Sequence, residues 1–218
     1  MFESNGNLLP IMMISLSLGL FTFFIVTTTS FLKIAVVLFI VRNAVGIQQT
    51  PPNLVLYGIA LALTAFVAAP IAEATYAAVF LDGAEFEQFS EWIAALQRGI
   101  EPTREFLARF TLMESREFFM LAAQDLWQDT TDQQFGAADM SILIPSFLVS
   151  ELQRAFEIGL LLYLPFIIID LVVTTILMAM GMSQVAPNII STPMKLFLFV
   201  TVDGWNKLVE GLILTYAA

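Results

Sequence analysis

The stretch LLPIMMISLSLGLFTFFIVTTTSFL, residues 8–32, contains twenty-five consecutive side chains, and none of them is charged. As an α-helix rising about 1.5 Å per residue it would reach about 37 Å, which exceeds the ~30 Å hydrocarbon core of a bilayer. Similar apolar runs recur along the chain, whose mean hydropathy is +0.83. This pattern is typical of an integral membrane protein, in which each polar group inside an apolar run requires a partner or water.

The composition excludes several kinds of chemistry. The 218-residue chain contains neither cysteine nor histidine, so it can form no disulfide, no thiolate or imidazole active site and no Cys/His metal or haem site. It also lacks the glycine-rich G-x-x-x-x-G-K-[ST] and G-x-G-x-x-G nucleotide motifs. Its net charge of −10 argues against nucleic acid as a partner, because nucleic-acid-binding proteins are usually basic. We therefore expect a protein that is not an enzyme and needs neither metal nor cofactor.

Four apolar stretches predict an all-α membrane protein with kinked helical segments that form hairpins. The stretches cover residues 8–41, 54–81, 142–180 and 195–216. Pro70 predicts a kink or a helix end near Ala69 in the second stretch, and Pro165 predicts a kink in the third.

An acidic block separates the second stretch from the third. Residues 82–141 contain twelve acidic side chains and four arginines, and their apolar residues recur at helical spacing. The block therefore predicts two or three amphipathic helices, with a loose end over residues 129–139. In chain order we expect an N-terminal hydrophobic hairpin at 1–81, the acidic block at 82–141 and a C-terminal hydrophobic hairpin at 142–218.

Basic residues predict the orientation in the membrane. Arg42 lies in the first connection with Lys33 near it, Lys195 ends the last connection, and neither connection contains an acidic residue. This places both termini and the acidic block outside the cytoplasm. No Lys or Arg precedes Lys33, so the basic region of a signal peptide is missing and the first apolar run is expected to be a retained helix.

Charged side chains inside apolar runs are costly. A charge at a membrane helix centre costs about 3 kcal/mol, so six without partners would cost about 15–20 kcal/mol. The six residues that lie inside or at the edges of these runs are Lys33, Glu73, Asp170, Asp203, Lys207 and Glu210. They are therefore expected to pair, or to face protein or water.

The spacing of these charges predicts pairing. Lys207 lies four residues after Asp203 and three before Glu210, so the three share one face of a helix. Glu151, Arg154 and Glu157 repeat this pattern near the start of the third run. Two interpretations are open: ion pairs that hold helices together, or faces that line a water-filled path. A proton relay is a third, but it lacks histidine, and Asp170 has no obvious partner.

Small residues and methionines mark two further segments. Gly58, Ala62, Ala65, Ala69 and Ala72 step at intervals of four and three, which lets another helix approach closely, although the segment is rich in alanine throughout. Met178, Met180 and Met182 surround Gly181 near the last connection. Methionine suits a surface that must seal and repack, although clustered methionines more often face lipid or a core.

Several strings, in order, resemble the FliP/SctR family, a core membrane protein of the bacterial type III secretion export apparatus. They are VRNAVG at 41–46, QQTPPN at 48–53, LTAFV at 63–67, IPSF at 144–147, LPF at 164–166, IDLVV at 169–173, KLFLFV at 195–200 and DGW at 203–205. The resemblance covers nearly the whole chain outside residues 82–141. The missing signal peptide and the short N-terminus favour an injectisome, and hence a virulence system, over a flagellum.

The resemblance implies a pentamer joined by FliR/SctT-like and FliQ/SctS-like proteins and by an FlhB/SctU-like switch protein. The pentamer and the FliR/SctT-like and FliQ/SctS-like proteins form a helical cone that conducts unfolded secreted proteins across the bacterial inner membrane. The cone projects to the periplasmic side, so the costly charges, Glu151, Arg154, Asp170, Lys195, Asp203, Lys207 and Glu210 among them, would pair between subunits or face the lumen. Lipid remains an expected partner of the apolar helices.

The same resemblance implies a gate. The family closes its channel with a methionine gasket, which corresponds here to Met178, Met180 and Met182. Many relatives continue with further methionines where this chain has Ser183, Gln184 and Val185. We therefore expect Val185 or Ile189 to share the seal.

Two alternatives from other classes stay open. A secondary transporter would bind a small molecule or ion near the bilayer midplane, often between repeated halves, and no repeated halves are visible in this sequence. A purely structural scaffold of a basal body is the second alternative. The native mass separates the first from an export gate, and ion conductance separates the second.

Overall fold

The computed structural model describes residues 8–47, 49–80, 89–127, 136–182 and 184–217. Within these ranges the regular structure is entirely helical, so the predicted all-α class is confirmed. The helices are α1 Leu8–Thr28, α2 Phe31–Val45, α3 Asn53–Phe80, α4 Phe89–Phe110, α5 Met113–Trp127, α6 Met140–Ala179, α7 Asn188–Thr201 and α8 Gly204–Leu214.

Three of the described helices are long and apolar enough to cross a membrane. These membrane-length segments are Pro10–Thr28 in α1, Asn53–Phe80, which is all of α3, and Met140–Ala179, which is all of α6. Helix α7 is apolar but shorter. The predicted membrane protein with four apolar segments therefore agrees with the helices, three of full membrane length and one shorter.

Two of the predicted apolar stretches are divided. The first breaks at Thr29 and Ser30, where the Thr29 hydroxyl accepts a hydrogen bond from the Phe31 N–H at 3.4 Å. Hydroxyl side chains offer the backbone an alternative to the helical ladder, and so they favour helix ends. The fourth breaks before α8, where Asp203 adopts a left-handed conformation with φ of 55°.

Helix α3 continues through Pro70 to Phe80, so the alternative of a helix end near Ala69 is wrong. The acidic block forms two amphipathic helices, α4 and α5. Residues 81–88, and most of the expected loose end at 129–139, lie outside the described residues.

Contacts group the chain into two compact units, each made of two segments. Unit 1 comprises Met1–Phe31 and Ile71–Val149, and unit 2 comprises Leu32–Pro70 and Ser150–Ala218. Helices α3 and α6 each contribute one end to each unit. Unit 2 thus combines residues from the predicted N-terminal and C-terminal hydrophobic segments.

Unit 1 is built on the amphipathic faces of α4 and α5. Leu107 of α4 and Phe147 of α6 are fully buried, and the rings of Phe106 and Phe147 lie 5.7 Å apart. The Ser146 hydroxyl donates to the Ser115 carbonyl at 3.4 Å and so joins α6 to α5. Helices α3 and α4 approach closely at Gly99 in the same unit, where a Cβ would lie 2.8 Å from Val79.

Unit 2 packs the apolar face of α2 among α3, α6, α7 and α8. Its core side chains are Ile34, Val37, Leu38, Val41, Leu56, Ala60, Ala155, Phe166, Phe199, Leu208 and Leu212. Two glycines allow close approach: a Cβ at Gly159 would lie 2.5 Å from Ile40, and one at Gly204 would lie 2.4 Å from the Phe199 ring. The candidate functional residues lie mainly in this unit.

Candidate functional site

A buried ion cluster lies in unit 2. Lys33 of α2 and Glu151 of α6 are fully buried, and Nζ of Lys33 lies 3.4 Å from Oε1 of Glu151. Arg154, one turn along α6, reaches the same oxygen at 3.5 Å. Tyr216, beyond the end of α8, donates its hydroxyl to the second carboxylate oxygen, Oε2. The Glu151 carboxylate is therefore held by two cations and a phenol, and we call these four residues the ion cluster.

Tyr216 contributes in a second way, because its ring centroid lies 3.6 Å from the Lys33 ammonium. Such a cation–π contact is strongest where water is excluded. Lys33 and Tyr216 lie outside the three membrane-length segments. Burial lowers the pKa of Lys33 to about 8, against the opposing effect of the Glu151 carboxylate. Burial and the same carboxylate raise the pKa of Tyr216, so the phenol keeps its proton and remains a donor.

Sequence reasoning found only part of the ion cluster. It identified Lys33 as a costly charge and Glu151 and Arg154 as a pair, but it did not join them. Lys33 and Glu151 are 118 residues apart, and Tyr216 is a further 65 away. The usable signal was a pair of opposite charges, each enclosed in its own apolar helix. Nothing in the sequence singled out Tyr216.

A second ion pair joins α6 to α7. Nζ of Lys195 lies 2.6 Å from Oδ2 of Asp170, and Lys195 is buried while Asp170 is partly exposed. The sequence offered Asp170 no obvious partner, and the structure places Lys195 beside it. This ion pair explains why an apolar helix contains the Asp170 carboxylate, and no proton pathway is needed to explain it.

The structure does not bring Asp203, Lys207 and Glu210 together. Asp203 lies before the first turn of α8, and its carboxylate accepts hydrogen bonds from Asn206 at 3.0 Å. All three side chains are exposed, and no ion pair joins them within the described part of the chain. Asp203 precedes α8, so its position relative to Lys207 is not that of two residues inside one helix, whereas Lys207 and Glu210 share α8 without forming an ion pair. Pairing of these groups with another subunit stays a prediction.

The three gate methionines lie on a tightly closed helix end. Gly181 has φ of 74°, which favours glycine, and its N–H bonds to the Met178 carbonyl at 3.0 Å. The Met182 N–H bonds to the Leu177 carbonyl at 3.0 Å, which completes a Schellman motif. Met178, Met180 and Met182 are 63%, 66% and 41% exposed. The segment, which we call the methionine turn, therefore holds its backbone fixed and presents three flexible apolar side chains outward.

The small-residue stripe of α3 lies on an open face. Gly58, Ala62, Ala65 and Ala69 are all exposed, whereas the buried residues of this helix are Leu56, Ala60 and Thr64. A Cβ added at Gly58 would meet no atom of the described chain within 4 Å. The stripe is thus directed away from the core of its own unit.

The model of the FliP family matches residues 12–212. The chain belongs to the FliP family. The family resemblance of the sequence strings is therefore confirmed.

Individual relatives of this FliP-family protein cover almost all of it. It is 51% identical to the "Probable translocation protein y4yL" of Sinorhizobium fredii over 216 residues, which are 99% of this chain and 97% of that protein. It is 42% identical to the "Hypersensitivity response secretion protein HrcR" of Ralstonia nicotianae, over 97% of this chain and 99% of that one. It is 43% identical to the "Yop proteins translocation protein R" of Yersinia pestis, over 88% of each chain.

An apolar groove lies in the same unit of this FliP-family chain as the ion cluster. It has a volume of about 530 Å³ and runs between α6, α7 and α8, with Val41 of α2 at one wall. Phe166 and Phe199 contribute rings, and Lys207 contributes the one charge among the lining side chains. Among the described residues, no group of three acidic side chains could hold a metal ion.

Proposed function

We propose that this protein is a pore-forming core subunit of a type III secretion export gate in the bacterial inner membrane. It conducts unfolded secreted proteins and has no catalytic role of its own. The observation that carries the proposal is the methionine turn in a chain of the FliP family. Three exposed, flexible apolar side chains on a fixed backbone suit a constriction ring. Such a ring must close the channel when it is empty and repack around a polypeptide that passes through it.

The proposed assembly is a pentamer of this chain with FliQ/SctS-like, FliR/SctT-like and FlhB/SctU-like proteins. The open stripe on α3 supports it, because small residues let a neighbouring backbone approach closely. Exposed apolar side chains on α3 and α6 also require covering, whether by protein or by lipid. Asp203, Lys207 and Glu210, which are exposed in one chain, would then pair between subunits or face the lumen.

The proposed setting is an injectisome. Relatives with the words translocation and hypersensitivity response secretion in their names support this over a flagellum. The acidic block, made of α4 and α5, would lie on the periplasmic side with both termini, as the basic residues near the short connections predict.

The gate is tested by replacing all three methionines of the turn by alanine. The assembled complex is reconstituted in a planar bilayer, and its ion conductance is measured. We expect conductance through the closed complex to rise, because the alanine ring leaves the lumen unfilled. The control is Met113→Ala, which removes a still more exposed methionine from α5 in unit 1. Wild-type conductance in the triple variant, with assembly intact, would reject the gate assignment.

The alternatives are distinguished by two measurements on the same preparation. The native mass of the detergent-extracted protein, alone and with its partners, separates a multi-subunit ring from a monomeric or dimeric transporter. Conductance of the ring then separates a pore from a structural scaffold.

A further inference from the structure

The apolar groove of unit 2 has a buried floor and a charge at its mouth. Residues that are at most 9% exposed form the floor, and they are Val41, Phe166, Phe199, Leu208 and Leu212. Lys207 of α8 lines the same groove and is exposed. Among the described lining residues, the other polar side chain is that of Thr215, whose hydroxyl donates to the Leu212 carbonyl at 2.7 Å. The Lys207 ammonium is therefore the polar group that the groove offers to a ligand.

Lys207 forms no ion pair with any acidic side chain in the ranges that the structure describes. Its two acidic neighbours in sequence do not supply one. Asp203 accepts hydrogen bonds from Asn206 at 3.0 Å, and Glu210 lies three residues further along α8 with its side chain exposed. A cation without a partner beside an apolar groove favours a ligand that joins an anionic group to hydrocarbon.

The groove is narrower than a helix. It follows α8 from Gly204 to Thr215, a length of about 16 Å at 1.5 Å per residue. Spread over that length, its volume of about 530 Å³ gives a mean cross-section of about 33 Å². An α-helix with its side chains is about 10–12 Å wide, and so it needs about 80 Å² or more. The groove therefore fits one extended hydrocarbon chain or single side chains of a neighbour, but not a whole helix.

We propose that this groove binds one acyl chain of an anionic phospholipid, with the lipid phosphate against Lys207. The apolar lining matches the hydrocarbon and the ammonium matches the phosphate, as in other basic pockets between membrane helices. The membrane that α3 and α6 are long enough to cross supplies such lipids. Lys207 then has a lipid as its partner, in place of an acidic residue of a neighbouring subunit. The proposal concerns a single subunit and does not rest on the export gate.

Gly211 offers a way to fill the groove without strain. It lines the groove, and a Cβ there would meet no atom within 4 Å. Gly211→Leu therefore occupies the groove, whereas Gly19→Leu adds the same side chain at an equally open glycine of α1. Lys207→Gln removes the charge alone. Its control is Arg98→Gln, which removes an exposed cation from α4 in unit 1.

The measurement is native mass spectrometry of the detergent-purified subunit. It is titrated with phosphatidylglycerol and, separately, with phosphatidylcholine that has the same acyl chains. We expect each wild-type chain to retain one phosphatidylglycerol about fivefold more tightly than phosphatidylcholine, which is the contribution of one basic side chain to binding an anionic lipid. Lys207→Gln should bind the two lipids equally, and Gly211→Leu should lose the retained lipid. Both controls should bind as the wild type does.

Three results would overturn the proposal. Equal affinities of the wild type for the two lipids would remove the role of Lys207, and an unchanged lipid count in Gly211→Leu would place the lipid elsewhere. If the wild type retains no lipid and Gly211→Leu lowers the yield of assembled rings, side chains of a neighbouring subunit fill the groove.

A second variant keeps the test valid if Gly211→Leu does not fold. Gly211→Cys introduces the sole cysteine of the chain, and a bulky thiol reagent then fills the groove after folding. We expect the modified protein to lose the retained lipid and the unmodified protein to keep it. Conductance of the assembled complex reports on the export gate separately, so either proposal can fail without the other.

Discussion

Two glycines on neighbouring helices of unit 2 have opposite surroundings. A Cβ at Gly159 of α6 would lie 2.5 Å from Ile40, whereas one at Gly58 of α3 would meet nothing within 4 Å. Both are glycines among bulkier side chains of an apolar helix, and the sequence alone does not distinguish them. The difference teaches that a small residue marks a close approach without saying whether the partner belongs to the same chain. The closed contacts of α2 and α6 hold the subunit, and the open face of α3 is available to a neighbour.

The largest effect is expected at the closed contacts, in the ion cluster. Glu151→Gln removes the charge that compensates Lys33 and Arg154 while it keeps the size of the side chain. Loss of one partner of a buried ion pair costs about 3–5 kcal/mol, because the other charge stays buried. We expect the free energy of unfolding to fall by that amount, as measured by denaturation of the isolated subunit in detergent.

The control for this variant is Glu157→Gln on the same helix. The Glu157 side chain is exposed and accepts a hydrogen bond from Gln153 at 2.9 Å, so its charge is not buried within the subunit. We expect its unfolding curve to overlay that of the wild type. Equal stability of the Glu151 and Glu157 variants would contradict the view that the cluster holds the subunit together.

A smaller loss of stability is expected at the contact between Gly159 and Ile40, which involves packing but no charge. Gly159→Leu forces a side chain into the space of Ile40, and overpacking of this kind typically costs about 1–3 kcal/mol. We expect a less stable subunit, and partial recovery when Ile40→Ala makes room. Denaturation of the single and double variants measures both. Failure of the second change to restore any stability would show that the Gly159 contact is not the cause.

The sequence predicted what depends on composition and period. Residues 54–81 and 142–180 became α3 and α6, and the acidic block became the two amphipathic helices α4 and α5. Hydrophobic periodicity reports a local preference, so it could not place the break at Asp203, which depends on a left-handed residue.

The candidate site was predictable to a lesser degree for the same reason. The methionines were visible as a cluster, but the Schellman closure that fixes them became apparent only in the backbone. The partners of Lys33 and Asp170 lie on other helices, and opposite charges in separate apolar runs do not show which of them pair. A cost in free energy shows that a buried charge needs a partner, and only the fold shows which partner it has.

The smallest change in free energy is expected at Gly58, on the exposed face of α3. Gly58→Leu adds a side chain that meets nothing in its own chain, so the subunit should unfold as the wild type does. If the stripe packs against a neighbouring subunit, the same side chain holds the two backbones apart. A loss of about 1.4 kcal/mol per interface would weaken association about tenfold. Native mass spectrometry of the extracted complex would then show fewer complete rings.

Gly19→Leu in α1 is the matched control, because a Cβ there also meets nothing within 4 Å. In the proposed assembly a neighbouring subunit covers Gly58, whereas lipid covers Gly19. Fluid hydrocarbon yields to an added side chain, whereas a packed backbone does not. We expect wild-type rings from Gly19→Leu and depleted rings from Gly58→Leu. Equal ring yields would mean that the α3 stripe is not an interface. Depletion by Gly19→Leu alone would mean that α1, and not α3, packs against a neighbouring subunit.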